Sequence, residues 1–152
     1  VMGHPDPATY RTYAASLGVG GHVTLPGRNM YRDLPNYLAL GDVAVAPKMS
    51  LTEGNGKISN YMAMGLPVVA FDTPVAHEIL EDSGIYAEFG NPDDLAAQIE
   101  QALANPQWAA EKGRQGRARA VRELSWAKTA QRIDAIYRSV LAGKGRAVQQ
   151  PR

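Results

Sequence analysis

The sequence contains no cysteine and almost no excess of charge of either sign. Without cysteine, the chain can form no disulfide framework, thiol catalyst or thiolate metal site. Sixteen Lys and Arg residues against 15 Asp and Glu residues leave a formal net charge of +1. This balance argues against a nucleic-acid partner, which a basic excess would hold by bulk electrostatics. The composition is compatible with a reducing compartment, and we expect a cytoplasmic protein.

Long apolar runs are also missing from the sequence. The longest, over residues 65–71, is far shorter than the roughly 20 residues that a membrane span needs. No basic segment followed by an apolar stretch stands at the N-terminus, so we expect no secretion signal. The chain begins abruptly on apolar residues, which suggests that it was cut from something longer.

The composition is that of a globular protein, with 45% hydrophobic and 20% charged residues. A length of 152 residues fits one compact domain. We expect this domain over residues 1–142. Residues 143–152 are rich in Gly, Gln and charge, and we expect them to form a flexible tail.

Short apolar segments alternate with segments of helical spacing along the chain. The apolar segments predict strands at residues 22–25, 42–47 and 67–72, with a weaker one at 85–89. Helices are predicted to begin directly after the helix-start residues Asp6, Asn91, Asn105 and Ser125. A further helix is expected over residues 57–64. This order predicts an α/β, Rossmann-like parallel sheet with helices on both faces, followed by C-terminal helices.

The most informative segment places Gly54, Asn55 and Gly56 directly before a predicted helix, with Lys57 in its first turn. Glycines let a backbone approach a ligand closely, and the free amides of a helix N-terminus bind anions. Lys57 adds a positive charge beside them. The pattern predicts a phosphate site, although a flexible loop with a solvated lysine explains the spacing equally well.

Two polar residues flank this loop. Glu53 would repel a nearby anion unless it accepted hydrogen bonds from donors such as sugar hydroxyls, so it is a candidate sugar ligand. An exposed loop acid is the alternative interpretation. Asn60 lies one helical turn beyond Lys57 on the same face, where its amide could bond a ribose or a phosphate.

Other polar residues carry less weight. The three histidines, His4, His22 and His77, have no local acid at ligand spacing, so we expect no metal site. His77 and Glu78 are interpreted as the start of a helix, and Arg28 as a surface arginine. Five basic residues fan around one predicted helix, which favours a solvated helix over a phosphate-binding face: Lys112, Arg114, Arg117, Arg119 and Arg122.

As a set, these segments resemble the donor-binding half of family 4 (group 1) retaining glycosyltransferases, which have the GT-B fold. The matching pieces are "EGNG" at residues 53–56 and "NYMAMGLPVVA" at 60–70. The flanks "LPNYLALGDVAVAP" at 34–47 and "AHEILEDSGIYAEFGNPDDLAAQIEQAL" at 76–103 follow the family's order. The likeness covers residue 1 to about residue 141.

The resemblance implies a role for each site residue. Glu53 would face the donor sugar, and the loop from Gly54 to Gly56 would meet the sugar and the diphosphate, with Lys57 stabilising the leaving group. Asn60 stands where the family has a second glutamate, which grips the ribose. It lies seven residues after Glu53, whereas the family's spacing is eight. Because asparagine carries no charge, we expect a weaker ribose contact. Arg28 lies in the loop that the family places near the nucleobase. The donor would be a nucleotide-sugar, such as a UDP- or GDP-sugar, with neither cofactor nor divalent metal.

The resemblance also implies missing parts. The family's first C-domain strand, its diphosphate-clamping basic residues and the N-terminal acceptor-binding domain do not precede Val1. We therefore expect a fragment without turnover of its own, whose incomplete sheet permits self-association. The alternative to a transferase fragment is a non-catalytic Rossmann-like binding or assembly module. A nucleotide-sugar epimerase with the same fold is less favoured, because the glycine loop matches that of the transferases. A peripheral position on the inner face of the membrane is compatible with these interpretations.

Overall fold

The computed structural model describes the backbone of residues 6–147 and the side chains of residues 6–142. His4 and the loop after Gly3 lie outside the described residues. The chain forms two compact units, Val1–Leu40 and Gly41–Arg152, where the sequence suggests a single domain over residues 1–142. Each unit is described by itself.

The first unit is built from short helices. Helix α1 (Pro7–Ser16) begins at Asp6, whose carboxylate accepts the amide of Ala8 at 2.9 Å, and it is followed by Gly18 at a φ of +72°. Two 3₁₀ turns, Gly20–His22 and Tyr31–Asp33, precede helix α2 (Leu34–Leu38). The helix predicted after Asp6 is confirmed.

The strand predicted over residues 22–25 is wrong. His22 ends a 3₁₀ turn, and residues 23–26 have no regular structure. The carbonyl of Leu25 accepts a hydrogen bond from Arg11 Nη2 at 3.0 Å. β-forming residues make a strand only where another strand can pair with their backbone.

The second unit contains a parallel sheet. Strands β1 (Ala44–Ala46), β2 (Val68–Phe71) and β3 (Gly84–Ala87) pair in the order β1-β2-β3 within the described residues. The predicted strands at 42–47 and 67–72 contain β1 and β2, and β3 begins one residue before the predicted strand at 85–89. All are short and largely buried, as expected for strands covered on both faces.

Five helices complete the second unit in the described residues: α3 (Gly56–Ala63), α4 (Pro74–Leu80), α5 (Pro92–Ala104), α6 (Pro106–Glu123) and α7 (Trp126–Ala147). Thr73, Asn91 and Ser125 accept amides of the first turns of α4, α5 and α7 at 3.1–3.3 Å. These side chains satisfy amides that the helices leave unpaired. Helix α7 continues past residue 142, into the segment for which the sequence predicts a flexible tail.

Helices pack on both faces of the sheet. Val68 and Ala70 of β2 face Ile58 and Met62 of α3. The intervening Val69 packs on the opposite face, with residues of α5 and α6. This alternation confirms the predicted Rossmann-like α/β architecture. None of the described helices is both long and apolar enough to cross a membrane.

The basic residues of α6 hold neighbouring helices. Arg117 donates to the carbonyl of Ala63 at 2.7 Å, at the end of α3. Arg119 donates to two carbonyls near the end of α4, and Lys112 to the carbonyl of Asp82. Arg117 is exposed, as the prediction of a solvated helix requires, whereas Lys112 and Arg119 are half-buried. The sequence did not predict these three bonds, because a helical wheel does not show which carbonyls neighbouring helices bring close. Arg114 and Arg122, by contrast, pair within α6 itself, with Glu111 and Glu123.

Candidate functional site

A small cleft lies at the carboxyl ends of β1 and β2. It opens between the loop after β1, the first turns of α3 and α4, and the end of β2. In parallel α/β sheets, this edge is where ligands bind. The cleft is lined by Ala46, Lys48, Ser50, Glu53, Asn55, Ile58, Phe71, Thr73, Val75 and Ala76.

The two glycines of the loop are exposed to solvent. Neither Gly54 nor Gly56 has a positive φ, and a Cβ added to either would meet no atom within 4 Å. Neither the backbone conformation nor packing among the described residues therefore requires glycine at these positions. Both interpretations of the sequence therefore stay open for these glycines: close approach of a ligand to the backbone, or a flexible loop.

The start of α3 differs from the starts of α4 and α5. Asn55 occupies the N-cap position, but its side chain makes no capping hydrogen bond. The amide of Ile58 bonds to the Asn55 carbonyl at 3.0 Å, so this amide is already used. The two amides before it, those of Gly56 and Lys57, receive no capping side chain, and such amides suit an anion.

Glu53 is held by a lysine that the sequence analysis did not single out. Lys48 Nζ lies 3.0 Å from Glu53 Oε2 and donates to the Gly54 carbonyl at 3.2 Å. Ser50 Oγ accepts the Glu53 amide at 3.1 Å. The signal that could have identified Lys48 is its place, directly after Pro47 at the end of a predicted strand.

Of the predicted site residues, Glu53 and Asn55 line this cleft, whereas the two loop glycines, Lys57, Asn60 and Arg28 do not. Lys57 is exposed in the first turn of α3, and Asn60 is half-buried one turn later. Arg28 is exposed in the first unit, whereas the cleft is formed by residues of the second unit alone. The binding roles of all three stay predictions.

An aromatic and ionic cluster follows β2. Asp72 Oδ1 lies 2.8 Å from His77 Nε2, and the His77 ring stacks on Tyr86 with centroids 4.0 Å apart. The Tyr86 hydroxyl donates to the Glu81 carbonyl at 2.6 Å. His77 is therefore a mid-helix residue with two partners, which the prediction of a helix start missed. Among the described residues, no group of three His, Asp or Glu side chains could hold a metal ion.

Burial, which is the largest cause, and the carboxylates of Asp72, Asp82 and Glu81 together raise the pKa of Tyr86 to about 12, against the opposing charge of Arg119. The folded state therefore favours the neutral phenol. The raised pKa of Tyr86 implies a contribution to the free energy of unfolding that depends on pH. This contribution is fully present below pH ~10, where the tyrosine is neutral in the unfolded chain as well, and it is lost as the pH rises towards 12.

We expect Tyr86→Phe to reduce the loss of stability that the chain shows between pH 9 and pH 11.5. The reason is that the variant has no phenol to ionise at this position. Urea unfolding at several pH values, compared with Tyr31→Phe at an exposed tyrosine, measures the effect. An identical pH dependence in Tyr86→Phe and the unaltered chain would contradict it.

The family model described as "Glycosyl transferases group 1" matches residues 1–105. The chain belongs to this family. It is 29% identical over 145 residues to a D-inositol 3-phosphate glycosyltransferase of Nocardiopsis dassonvillei, covering 92% of this chain and 33% of that protein. This group 1 glycosyltransferase chain thus spans about a third of the length of that curated relative.

Solved structures show the same fold. Sucrose-phosphate synthase from Thermosynechococcus elongatus superposes with a TM-score of 0.83 at 25% identity, over 93% of this chain and 38% of that one. HepE of Anabaena, in complex with UDP, superposes with a TM-score of 0.81 at 21% identity, over 91% of this chain and 40% of that one. The group 1 chain therefore has the fold found in GT-B glycosyltransferases.

Proposed function

We propose that this chain is the donor-binding part of a retaining glycosyltransferase that transfers a sugar from a nucleotide-sugar to an acceptor. One observation carries the proposal: the two exposed glycines at the start of α3, Gly54 and Gly56, stand beside Glu53 and are not required by the backbone conformation or the packing of the described residues. This loop lies at the edge of the sheet where α/β folds bind ligands. HepE, which shares this fold, is in complex with UDP, and this supports a nucleoside diphosphate as the ligand class.

In this proposal, the diphosphate binds at the amides of Gly56 and Lys57. The Lys57 ammonium and the amides stabilise the negative charge that develops on the leaving group. Glu53 accepts hydrogen bonds from the sugar hydroxyls and orients the donor. Asn60 bonds the ribose without a charge, and Arg28 approaches the nucleobase; both roles rest on the family resemblance.

The acceptor is proposed to bind to a part of the protein outside these 152 residues. The chain spans 33% of the length of its inositol-phosphate glycosyltransferase relative, and its own cleft is small. We therefore expect donor binding, but no turnover, from the 152-residue chain alone.

Isothermal titration calorimetry with UDP, GDP and ADP tests the donor site. We expect heat of binding for at least one of these nucleotides, and that nucleotide identifies the base. If none binds at up to about 1 mM (about −4 kcal/mol), the donor-site proposal is wrong and a non-catalytic binding or assembly module is favoured.

The glycine loop itself is tested by Gly56→Ala. Because the added Cβ meets no protein atom, we expect the free energy of unfolding to stay the same or rise by about 0.5 kcal/mol. The methyl group would occupy the space of a ligand in close contact with the backbone. We therefore expect the affinity for the nucleotide to fall by at least about tenfold, or ~1.4 kcal/mol.

Gly21→Ala is the matched control. A Cβ at Gly21 also meets nothing within 4 Å, but this glycine belongs to a 3₁₀ turn of the first unit. We expect this variant to keep both its stability and its nucleotide affinity. Equal affinities for Gly56→Ala and Gly21→Ala would show that the loop glycines do not approach the ligand.

A further inference from the structure

Lys48 bridges two oxygen atoms of the glycine loop. Its Nζ lies 3.0 Å from Glu53 Oε2 and 3.2 Å from the Gly54 carbonyl oxygen. The lysine lies two residues after the last residue of β1. Its side chain is 36% exposed, against 75% for Glu53. The ammonium is therefore the more buried partner, and the carboxylate is presented to solvent at the cleft.

The position of Glu53 poses an electrostatic problem. An unpaired carboxylate next to the first turn of α3 would repel the diphosphate that the amides and Lys57 attract. The bridge from Lys48 supplies one positive charge at this carboxylate. With Lys48 in place, Glu53 keeps free lone pairs for sugar hydroxyls while the net charge of the pair is zero.

We propose that Lys48 is a positioning residue for the donor: it neutralises Glu53 and fixes its carboxylate at the cleft, so that an acid can stand beside a nucleoside diphosphate. This inference rests on the proposed function and adds a residue to it. Lys48 acts through Glu53 in this account and makes no contact with the phosphates.

A double-variant cycle with UDP as the probe tests the inference. We expect Lys48→Met to weaken UDP binding by at least about tenfold, because Glu53 is then an unpaired negative charge. Glu53→Gln removes the charge that Lys48 neutralises and lets the ammonium turn out into solvent, so this variant should bind UDP to within about threefold of the unaltered chain. The double variant Lys48→Met/Glu53→Gln restores the charge balance and should recover the unaltered affinity to within about threefold.

This recovery separates the inference from simpler explanations. If Lys48 only stabilised the loop, or if it bound a phosphate directly, Lys48→Met would weaken UDP binding by the same factor whether residue 53 is Glu or Gln. A double variant as weak as Lys48→Met therefore overturns the inference, as does a Lys48→Met affinity equal to that of the unaltered chain. Lys48→Arg, which keeps the charge, should retain most of the UDP affinity.

The same titrations distinguish the inference from the proposed function. If the unaltered chain binds no UDP, GDP or ADP, the proposed function is wrong and the inference falls with it. If the unaltered chain binds and the cycle shows no compensation, only the inference is wrong. Thermal unfolding of each variant by circular dichroism shows whether the second unit remains folded.

Discussion

Gly113→Ala is expected to lower the free energy of unfolding by about 2 kcal/mol or more. A Cβ at this position in α6 would lie 2.1 Å from the Gly65 carbonyl oxygen, and 3.2 Å from the Pro67 nitrogen. These are backbone atoms of the turn between α3 and β2, so they cannot rotate away. The helix must move away from this turn. Overpacking typically costs about 1–3 kcal/mol and occasionally more, and a contact this close to a backbone atom belongs at the upper end. The roughly 1 kcal/mol that alanine gains over glycine in a helix offsets only part of this cost.

Gly116→Ala, three residues later in the same helix, is the control. Its nearest atoms would be Ser83 Oγ at 3.5 Å and Met62 Cγ at 3.6 Å, which are side-chain atoms at ordinary contact distance. We expect no loss of stability there, and a gain of up to about 1 kcal/mol from helix propensity. Urea denaturation followed by circular dichroism measures both variants. Equal effects at the two positions would show that α6 does not approach the turn as closely as described.

Arg119→Met is expected to destabilise the chain by about 2 kcal/mol. The guanidinium donates to the carbonyls of Ile79 and Glu78, each at 2.9 Å, and pairs with Glu81 at 2.8 Å. Glu81 ends α4 at a φ of +46°, a conformation that L-residues adopt at a cost of about 1–3 kcal/mol. The arginine side chain is mostly buried, so its loss leaves the end of α4 and this strained turn without their charged donor.

Arg114→Met provides the comparison for Arg119. Arg114 lies on the same helix, but it is exposed and pairs with Glu111 one turn away. Exposed pairs of this kind contribute less than about 1 kcal/mol, so we expect little change in the urea midpoint. A midpoint for Arg119→Met as high as that for Arg114→Met would contradict the bridging role of Arg119.

Much of the second unit could be predicted from sequence because its signals are local. Asn91 and Ser125 start helices through their own side chains, and the run at 67–72 is apolar enough to identify a buried strand. The glycine loop was also visible, since glycines directly before a helix form a pattern in consecutive residues.

The features that the sequence did not predict depend on contacts between distant residues. The segment at 22–25 has the composition of a strand, yet it forms none, and the carbonyl of Leu25 accepts a hydrogen bond from the Arg11 side chain. The stacking of His77 on Tyr86 joins a helix to a strand, and no spacing in the sequence indicates it. Lys48 and Glu53 meet only because the intervening loop turns back on itself, and that path is set by the folded chain.

Helix α3 is more exposed at its start than at its end. Arg117 and the turn at Gly65 fasten its last residues to α6, and Met62 is fully buried beneath them, whereas Gly56 and Lys57 of its first turn are exposed, although Ile58 beside them is buried. Substitutions at these two exposed positions remove few packing contacts. The chemical character of this surface can therefore differ between related proteins while the hydrophobic interior keeps its packing.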